Sequence, residues 1–409
     1  MERRGLHLIE AAGGSRESAG LLARLFAGGR ERMLRKLDAG LATGSIRATL
    51  PDGQKRVLGG KRSGFEAEIH VHDWRCILRL ATGGSVGWYR AWEKGEWSSP
   101  DPVQIFALFM ANADSLGQLG RAKGPWRMAA RAYHWARRNT RTGSQQNISA
   151  HYDLGNDFYA PWLGETMAYS SAIWREAMTL DKAQAAKMHA MAARIDGAPG
   201  NHVLEIGCGW GSLSAMLAEN GYEVEAISLS DEQLAHARAL APDVDFRKQD
   251  YRDVDGRYDA IVSVEMVEAL GQEYWPTFMD CIAHNLKKGG RAAIQFISIR
   301  DELFDAYSRS ADFIQTYIFP GGMLIRTSEF RALAEARGLT WSDETRFGLD
   351  YARTLADWRQ RFDRAYAQGK MPADFDDRFA DLWRYYLMYC EGGFRGGGID
   401  VHQVTLIKP

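Results

Sequence analysis

Three glycines at alternating positions form the clearest chemical pattern in the sequence. Residues 207–211 (GCGWG) follow the apolar run 203–206, and a helix-like segment then leads to a second apolar run that ends at residues 228–230 (SLS). A strand, a glycine turn, a helix and a strand form the unit that cradles adenosine-containing cofactors, since glycine lets the backbone come close to the ligand. The pattern therefore predicts a nucleotide-type cofactor.

The glycine spacing separates the possible cofactors. A nicotinamide site reads G-x-G-x-x-G, whereas here single residues separate Gly207, Gly209 and Gly211, and Glu205 precedes them. The E-x-G-x-G form resembles the first motif of S-adenosylmethionine methyltransferases. The second strand ends in serines rather than in the usual acidic ribose ligand. The residues predicted to contact the cofactor are Tyr169, Ser170, Glu205, Gly207, Gly209, Ser228, Leu229, Gln233, Asp250 and Tyr251.

Strand-like and helix-like segments alternate after the glycine turn. Residues 258–267 and 291–299 read as buried strands, and residues 273–290 read as a helix that stops at the Lys-Lys-Gly-Gly of 287–290. This alternation predicts an α/β fold with a mostly parallel sheet and helices on both faces. Together with the resemblance of the first motif, it implies a Rossmann-like methyltransferase domain. Its ligand should lie at the carboxyl edge of the strands.

The N-terminal third reads as a smaller α/β domain. Residues 44–59 suggest a hairpin around Pro51-Asp52-Gly53, residues 65–72 alternate as in a half-buried strand, and a turn-rich stretch leads to a helix that starts near Asp101-Pro102. With 409 residues the chain has room for two or three domains. We predict an N-terminal domain over 1–119, a linker over 120–144 and a catalytic domain over 145–409.

The linker predicted over 120–144 concentrates positive charge in a chain whose net charge is -1. Its basic residues are interleaved with Trp126, Tyr133 and Trp135, and it has no acidic residue. This composition suits an anionic membrane surface, although a solvated linker helix would look similar. The near-zero net charge argues against nucleic acid as a partner.

The sequence lacks several other signals. The four cysteines form no C-x-x-C pair, so we expect no metal site. No run of about 18 apolar residues occurs, and the N-terminus has no apolar core of signal-peptide length. The sequence therefore predicts a cytoplasmic protein, attached peripherally to the inner membrane face.

Four further blocks carry a family resemblance. Residues 147–174, 263–271, 312–324 and 385–394 resemble, in order and content, the cyclopropane-fatty-acyl-phospholipid synthase family, which includes the mycolic acid methyltransferases. The resemblance is strong over 145–409 and weaker over the N-terminal domain. It implies a C-methyltransferase that uses S-adenosylmethionine at the double bond of unsaturated acyl chains in membrane phospholipids. It also implies cyclopropane formation through a carbocation, deprotonation by bound bicarbonate, and a possible homodimer.

The resemblance also assigns the site residues. It implies that Glu268 and Tyr317 hold bicarbonate, together with the backbone around Ile297. Ser171 and Gln295 stand where well-known members have cysteine and histidine, and both can donate hydrogen bonds to an anion. Glu265 is less favoured because it lies three residues before the motif position. Further candidates are Cys390, interpreted as structural or pocket-lining; Tyr169, Trp174, Phe296 and Tyr317 as aromatic neighbours of a cation; and His151, Tyr152, Asp153 and Asn156 as a lid.

The two departures at Ser171 and Gln295 leave alternatives open. Loss of a proton from a chain carbon rather than from the added methyl would give a methyl-branched or methylene-bearing unsaturated chain. A methyltransferase for a soluble small molecule and a non-catalytic lipid-binding homologue are further alternatives.

Overall fold

The structure is a computed structural model that describes residues 4, 5, 8, 27–117, 154–309 and 311–409. The predicted linker 120–144 and the predicted boundaries near 119 and 145 lie outside these residues. Two compact units divide the chain. The first combines the described part of Met1–Ala136 with Glu302–Pro320 and Asp374–Ile399, and the second combines Arg137–Asp301, Gly321–Ala373 and Asp400–Pro409. The first unit thus includes two segments that the sequence analysis assigned to the catalytic domain.

The bounds of the regular elements follow in chain order. The helices are α1 Ala27–Gly40, α2 Arg75–Glu93, α3 Pro102–Ala111, α4 Ala113–Leu116, α5 Asn156–Leu163, α6 Leu180–Ile195, α7 Ser212–Glu219, α8 Asp231–Leu240, α9 Trp275–Asn285, α10 Asp301–Tyr307, α11 Phe313–Tyr317, α12 Thr327–Glu335, α13 Gly348–Ala367 and α14 Asp377–Arg395. The strands are β1 Ser45–Thr49, β2 Lys55–Gly59, β3 Glu66–Val71, β4 Trp97–Ser98, β5 His202–Ile206, β6 Glu223–Ser228, β7 Asp245–Lys248, β8 Tyr258–Val264, β9 Leu286–Ile299, β10 Thr340–Arg346 and β11 Ile399–Ile407.

The first unit contains a four-stranded sheet in the order β2-β1-β3-β4. Strands β1 and β2 form the predicted antiparallel hairpin, with Ser45 opposite Gly59. In β3 every second side chain is buried, as the alternation predicted: Ala67, Ile69 and Val71 face the core. The turn motif and the alternation of apolar and polar residues therefore predicted these strands correctly.

Helix α2 replaces the turn-rich stretch that the sequence suggested before Trp97. Its glycines led to the wrong prediction, because they read as turn residues. Gly84 does kink the helix, with φ of 58° and ψ of -140°. Gly87 is required by packing, since a Cβ there would lie 1.9 Å from the carbonyl oxygen of Arg79. The predicted start of α3 is confirmed: the Asp101 side chain accepts a hydrogen bond from Val103 N at 3.1 Å.

Helices α3 and α14 pack closely within the first unit. Gly392 of α14 and Gly396, which caps that helix, lie against α3. A Cβ on Gly392 would lie 2.3 Å from Phe106 Cβ, and one on Gly396 would lie 2.6 Å from Ala107 O. Glycine at both positions lets the two helix backbones approach each other. The packing joins a segment near residue 100 to one near residue 390.

The second unit contains a seven-stranded sheet in the order β10-β11-β9-β8-β5-β6-β7. Strands β5 to β9 pair in parallel, and β10 pairs antiparallel with β11. β5 is buried along all but its first residue, as expected for a strand covered on both faces. The predicted α/β class with a mostly parallel sheet is confirmed.

The end of helix α9 differs from the prediction. The helix stops at Asn285, and residues 287–290 belong to β9. Their backbone pairs with the end of the chain instead of capping the helix: Gly289 N donates to Lys408 O at 2.7 Å, and Lys408 N donates to Gly290 O at 3.1 Å. In the described part of the chain, no helix is both long enough and apolar enough to cross a bilayer.

Candidate active site

The glycine turn after β5 has left-handed backbone conformations at all three glycines. The φ angles are 82° at Gly207, 53° at Gly209 and 88° at Gly211, values that side chains with a Cβ rarely adopt. A Cβ on Gly211 would lie 2.7 Å from Ala237 Cβ, whereas one on Gly209 would meet nothing within 4 Å. Gly211 thus serves close packing, and Gly209 keeps the space above the turn free for a ligand.

One cavity of the second unit brings the predicted cofactor residues together. Its lining includes residues of the glycine turn, the end of β6 and the segment that follows β7. All ten predicted contacts line it: Tyr169, Ser170, Glu205, Gly207, Gly209, Ser228, Leu229, Gln233, Asp250 and Tyr251. The position at the carboxyl edge of parallel strands is the one expected for a ligand in this fold. The individual roles of the ten residues stay predictions.

Two polar groups at this cavity differ in whether the chain supplies hydrogen-bond partners for them. The Asp250 carboxylate accepts hydrogen bonds from Arg252, with Nε at 2.8 Å and Nη2 at 2.5 Å from its oxygens. The Tyr251 hydroxyl is buried and has no hydrogen-bond partner within the described ranges. A buried hydroxyl without a partner costs stability unless a ligand or water satisfies it. Both observations fit a cavity that binds a polar molecule.

A buried acid and a buried base also line the cavity. Glu205 accepts a hydrogen bond from Ser214 Oγ, and burial raises its pKa to about 7. Lys187 donates to Ser170 Oγ at 2.7 Å, and burial lowers its pKa to about 8 although Glu265 and Glu205 oppose that shift. The sequence analysis missed Lys187. Its signal was a lysine on the apolar face of α6, at helical spacing from Leu180, Ala183 and Met191.

The segment after β8 holds Glu265 in a network of donors. Glu265 Oε1 accepts from Ser171 N at 2.9 Å and from Gln295 Nε2 at 2.8 Å, and Oε2 accepts from the Tyr351 hydroxyl at 2.8 Å. Burial raises the pKa of this carboxyl, and the three donors partly offset the shift. Glu265 also lines the cavity. From the sequence Glu265 ranked below Glu268 as a site residue, and that order stays a prediction.

Glu268 lies one turn further along, in a short 3-10 helix. Its Oε1 accepts from Ile297 N, while Oε2 is buried without a hydrogen-bond partner among the residues that the structure describes. Burial, followed by the nearby charge of Glu265, raises its pKa to about 8. The predicted proximity of Glu268 to the backbone of Ile297 is therefore present.

The side chains predicted to surround an anion have other partners in the second unit. Gln295 Nε2 donates to Ser171 O at 3.3 Å as well as to Glu265, and Gln295 Oε1 accepts from Gln403 Nε2 at 3.0 Å. The Ser171 hydroxyl donates to Ala172 O at 3.1 Å. Ser171 and Gln295 do converge, as predicted, but on the carboxylate of Glu265.

Tyr317 and Cys390 belong to the first unit. The Tyr317 hydroxyl accepts from Arg90 Nε at 3.3 Å, and its ring centroid lies 4.9 Å from that of Tyr89 and 5.4 Å from that of Phe313. Burial raises the pKa of the Cys390 thiol far above its usual range, so the thiol stays protonated. This agrees with a structural or pocket-lining cysteine rather than a nucleophile. The predicted catalytic roles of both residues stay predictions.

The remaining candidates are packing residues or fall outside the described ranges. Phe296 is fully buried and stacks on His402 with ring centroids 4.9 Å apart. Trp174 donates from Nε1 to Thr354 Oγ1 at 2.9 Å. Asn156 accepts from Trp210 Nε1 at 2.6 Å, which ties the start of α5 to the glycine turn. His151, Tyr152 and Asp153 lie outside the described residues.

Known proteins match this chain over its fold and its site. The family model described as mycolic acid cyclopropane synthetase matches residues 139–404. Tuberculostearic acid methyltransferase UfaA1 of Mycobacterium tuberculosis H37Rv is 35% identical over 366 residues, which are 83% of this chain and 82% of that protein. Cyclopropane-fatty-acyl-phospholipid synthase of Escherichia coli K12 is 32% identical over 350 residues, 84% of this chain and 88% of that protein.

A solved structure supports the same assignment. Mycolic acid cyclopropane synthase CmaA1, crystallised with SAH and CTAB, superposes with a TM-score of 0.60 at 29% identity, covering 64% of this chain and 97% of that one. The predicted family is thereby confirmed, together with the use of S-adenosylmethionine. The chain belongs to the mycolic acid cyclopropane synthetase family and is an S-adenosylmethionine-dependent methyltransferase.

Proposed function

We propose that this methyltransferase acts on the double bond of unsaturated acyl chains in membrane phospholipids and that it forms a cyclopropane ring. The names of two relatives support a lipid substrate: one is a cyclopropane-fatty-acyl-phospholipid synthase and another a cyclopropane mycolic acid synthase. The observation that supports the proposal is a cavity lined by the glycine turn and by the acid Glu265. An acid beside the cofactor cavity suits chemistry that passes through a cation, because its ionised form would stabilise that cation.

The residues at the cavity fit bound S-adenosylmethionine. Gly209 leaves open space above the turn, and Glu205 and the Tyr251 hydroxyl offer buried polar atoms. When bound, S-adenosylmethionine supplies an electrophilic methyl group on a sulfonium sulfur. An alkene is a poor nucleophile, so the protein must orient the double bond, exclude water and place negative charge where the cation forms.

Bicarbonate, which the family resemblance implied as the base, fits less well. An anion needs donors, but Ile297 N, Ser171 N and Gln295 Nε2 already donate to the carboxylates of Glu268 and Glu265. A further anion would also meet those two buried carboxyls, which is costly in a low-dielectric site. The unpartnered Oε2 of Glu268 offers at most one hydrogen bond, as donor when protonated, and cannot hold an anion by itself. The proposal therefore routes no step through bicarbonate.

We further propose that the enzyme works at the cytoplasmic membrane face. The predicted domain 1–119 and the basic segment 120–144 would attach it to anionic lipid, and the chain would pair as a homodimer. Pelleting with anionic vesicles at low and high salt tests the attachment, because surface electrostatic binding weakens as salt rises. Equal binding at both salt concentrations would contradict it.

Product analysis tests the reaction. Purified protein is mixed with S-adenosylmethionine and vesicles of a monounsaturated phospholipid, and lipid mass and proton spectra are recorded. We expect a gain of one CH₂ with loss of olefinic protons and new high-field ring protons. Absence of methyl transfer to any lipid would overturn the proposal and favour a small-molecule methyltransferase or a non-catalytic homologue.

A methyl-branched or methylene-bearing product is the second candidate. The relative with 35% identity is named a tuberculostearic acid methyltransferase rather than a cyclopropane synthase. Both products arise from one cation and differ in which carbon loses a proton. The same mass gain with olefinic signals retained would identify the second candidate.

A further inference from the structure

Three separate segments of the second unit place hydrogen-bond donors on one carboxylate. Ser171 N comes from the loop before α6, the Gln295 amide from β9 and the Tyr351 hydroxyl from α13, and all three donate to Glu265 at 2.8–2.9 Å. Ser171 and Gln295 are the residues that the sequence predicted to surround an anion. The structure thus places a carboxyl group of the chain itself at the position predicted for the anion.

The two oxygens of Glu265 differ in what they have left to accept. A carboxylate oxygen has two lone pairs. The two lone pairs of Oε1 accept hydrogen bonds from Ser171 N and Gln295 Nε2, whereas Oε2 accepts one hydrogen bond, from the Tyr351 hydroxyl. Oε2 therefore keeps one open lone pair. Within the described residues no cation lies at ion-pair distance from Glu265, although the buried Lys187 acts on it electrostatically.

The backbone at Glu265 is held in an unfavourable conformation. Its φ is 52°, in the left-handed region that costs about 1 kcal/mol or more for a residue with a side chain. Its N–H donates to Gln295 O at 2.8 Å, which fixes this geometry at the end of β8. Strain of this kind persists where the surrounding structure enforces it, commonly at functional sites. Glu265 is one of the residues that line the cavity.

We propose that the carboxylate of Glu265 is this enzyme's own proton acceptor, occupying the anion position that Ser171 and Gln295 form, so that the reaction needs no bicarbonate. The inference rests on the proposed alkene chemistry. It assigns a catalytic role to a residue that the family resemblance did not single out.

In the first step the π electron pair of the alkene forms a bond to the methyl carbon, and the carbon–sulfur bond breaks with its electron pair going to sulfur. A carbocation remains on the acyl chain. A C–H bond of the added methyl then breaks, and its electron pair closes the third ring bond. The proton goes to the open lone pair of Glu265 Oε2 and passes to solvent after the product leaves. Charge and atoms are conserved without any further reactant.

The charged groups around Glu265 are consistent with this role. Burial raises its pKa, which makes it a stronger base than an exposed glutamate, while its donors and Lys187 keep the ionised form accessible. The other facing acids are Glu268, whose pKa is about 8, and Glu205, whose pKa is about 7.

The variant Glu265→Gly tests the proposal, because glycine adopts φ of 52° without strain and leaves a hole the size of the lost carboxylate. We expect kcat to fall by about 10²–10⁴-fold, with S-adenosylmethionine affinity retained by calorimetry. Added formate or bicarbonate should raise the kcat of this variant by about tenfold or more. The unmodified enzyme should work equally in CO₂-free buffer and with added bicarbonate.

Asp343→Gly is the matched control. Asp343 is also a non-glycine acid with positive φ, 50°, in the same unit, but it does not line the cavity. We expect no rescue of this variant by formate. Stimulation of the unmodified enzyme by bicarbonate, or a Glu265→Gly variant that turns over normally without added anion, would overturn the proposal.

Two failures remain distinguishable. If the unmodified enzyme methylates no phospholipid alkene, the proposed function has failed. If it does so but requires bicarbonate, only the role of Glu265 has failed. Should Glu265→Gly not bind S-adenosylmethionine, the bicarbonate titration of the unmodified enzyme decides alone.

Discussion

The turn after β5 and the segment after β8 follow neighbouring parallel strands, but the first shapes the site through its backbone and the second through acidic side chains. The first consists of glycines whose positive φ angles and missing side chains create space. The second carries two buried carboxyls, Glu265 and Glu268, whose hydrogen bonds reach β9 and more distant segments. The first is determined by local spacing, whereas the second depends on partners far away in the sequence. This difference explains why one was easily predicted and the other was not.

The largest effect in these two regions, after loss of Glu265, is expected for Glu268→Gln. The amide can still accept from Ile297 N through its oxygen, but it loses the ionisable group beside the reaction centre. We expect kcat to fall by about 10–100-fold while calorimetry shows unchanged affinity for S-adenosylmethionine. A larger loss than in Glu265→Gly would reverse the assigned order of the two carboxyls, and normal turnover would remove Glu268 from the mechanism.

The glycine turn is best tested by a matched pair. Gly211→Ala forces a Cβ to 2.7 Å from Ala237 Cβ at φ of 88°, so we expect a loss of about 2–3 kcal/mol in unfolding free energy. Gly209→Ala has open space and only backbone strain of about 1 kcal/mol. It should mainly weaken cofactor binding. Calorimetry and thermal melts separate the effects, and equal destabilisation by both would contradict the division of roles.

The pH dependence of stability sharpens the contrast at Glu268. Its folded-state pKa, about 8, lies above the ordinary 4.5, so the folded protein binds the proton more tightly. Its stabilising contribution is complete below about pH 4.5 and is lost as pH rises towards 8. Glu268→Gln has no carboxyl to ionise and so lacks this loss of stability. We therefore expect the melting temperature of the variant minus that of the unmodified protein to increase by about 2–5 °C from pH 5.5 to pH 8.5. The exposed Glu232→Gln should show no such gain.

The smallest effect is expected in the first unit, for Cys390→Ser. A protonated buried thiol is no nucleophile, so the serine variant should lose stability by about 1–3 kcal/mol through its buried hydroxyl and keep its turnover. Melting curves and kcat measured together check this. A loss of activity at unchanged stability would give Cys390 a chemical role.

The sequence predicted what depends on neighbouring residues. The hairpin of β1 and β2, the alternation in β3, the start of α3 and the ten residues around the cavity all follow from spacing or from motif order. The turn-rich stretch predicted before Trp97 was wrong: it includes Gly87, which is a packing residue inside α2.

Long-range partners could not be predicted in the same way. Nothing near residue 265 indicates that Ser171 and Tyr351 will donate to its side chain, since they lie 94 and 86 residues away. Lys187 was missed for a different reason: a lysine on a helix is usually exposed. Its place on the apolar face of α6 was visible in the sequence and would have marked it.

The close packing of α3 against α14 bears on how the protein can be divided by truncation. Because a segment near residue 390 is held against one near residue 100 by glycine contacts, the N-terminal region is not an appendage that can be removed. Expression of residues 145–409 alone would uncover Tyr385 of α14, which is buried in the full chain and whose ring packs against the rings of Tyr89, Trp92 and Phe106. Such a fragment would be prone to aggregation, and full-length protein is the appropriate material for any assay of activity.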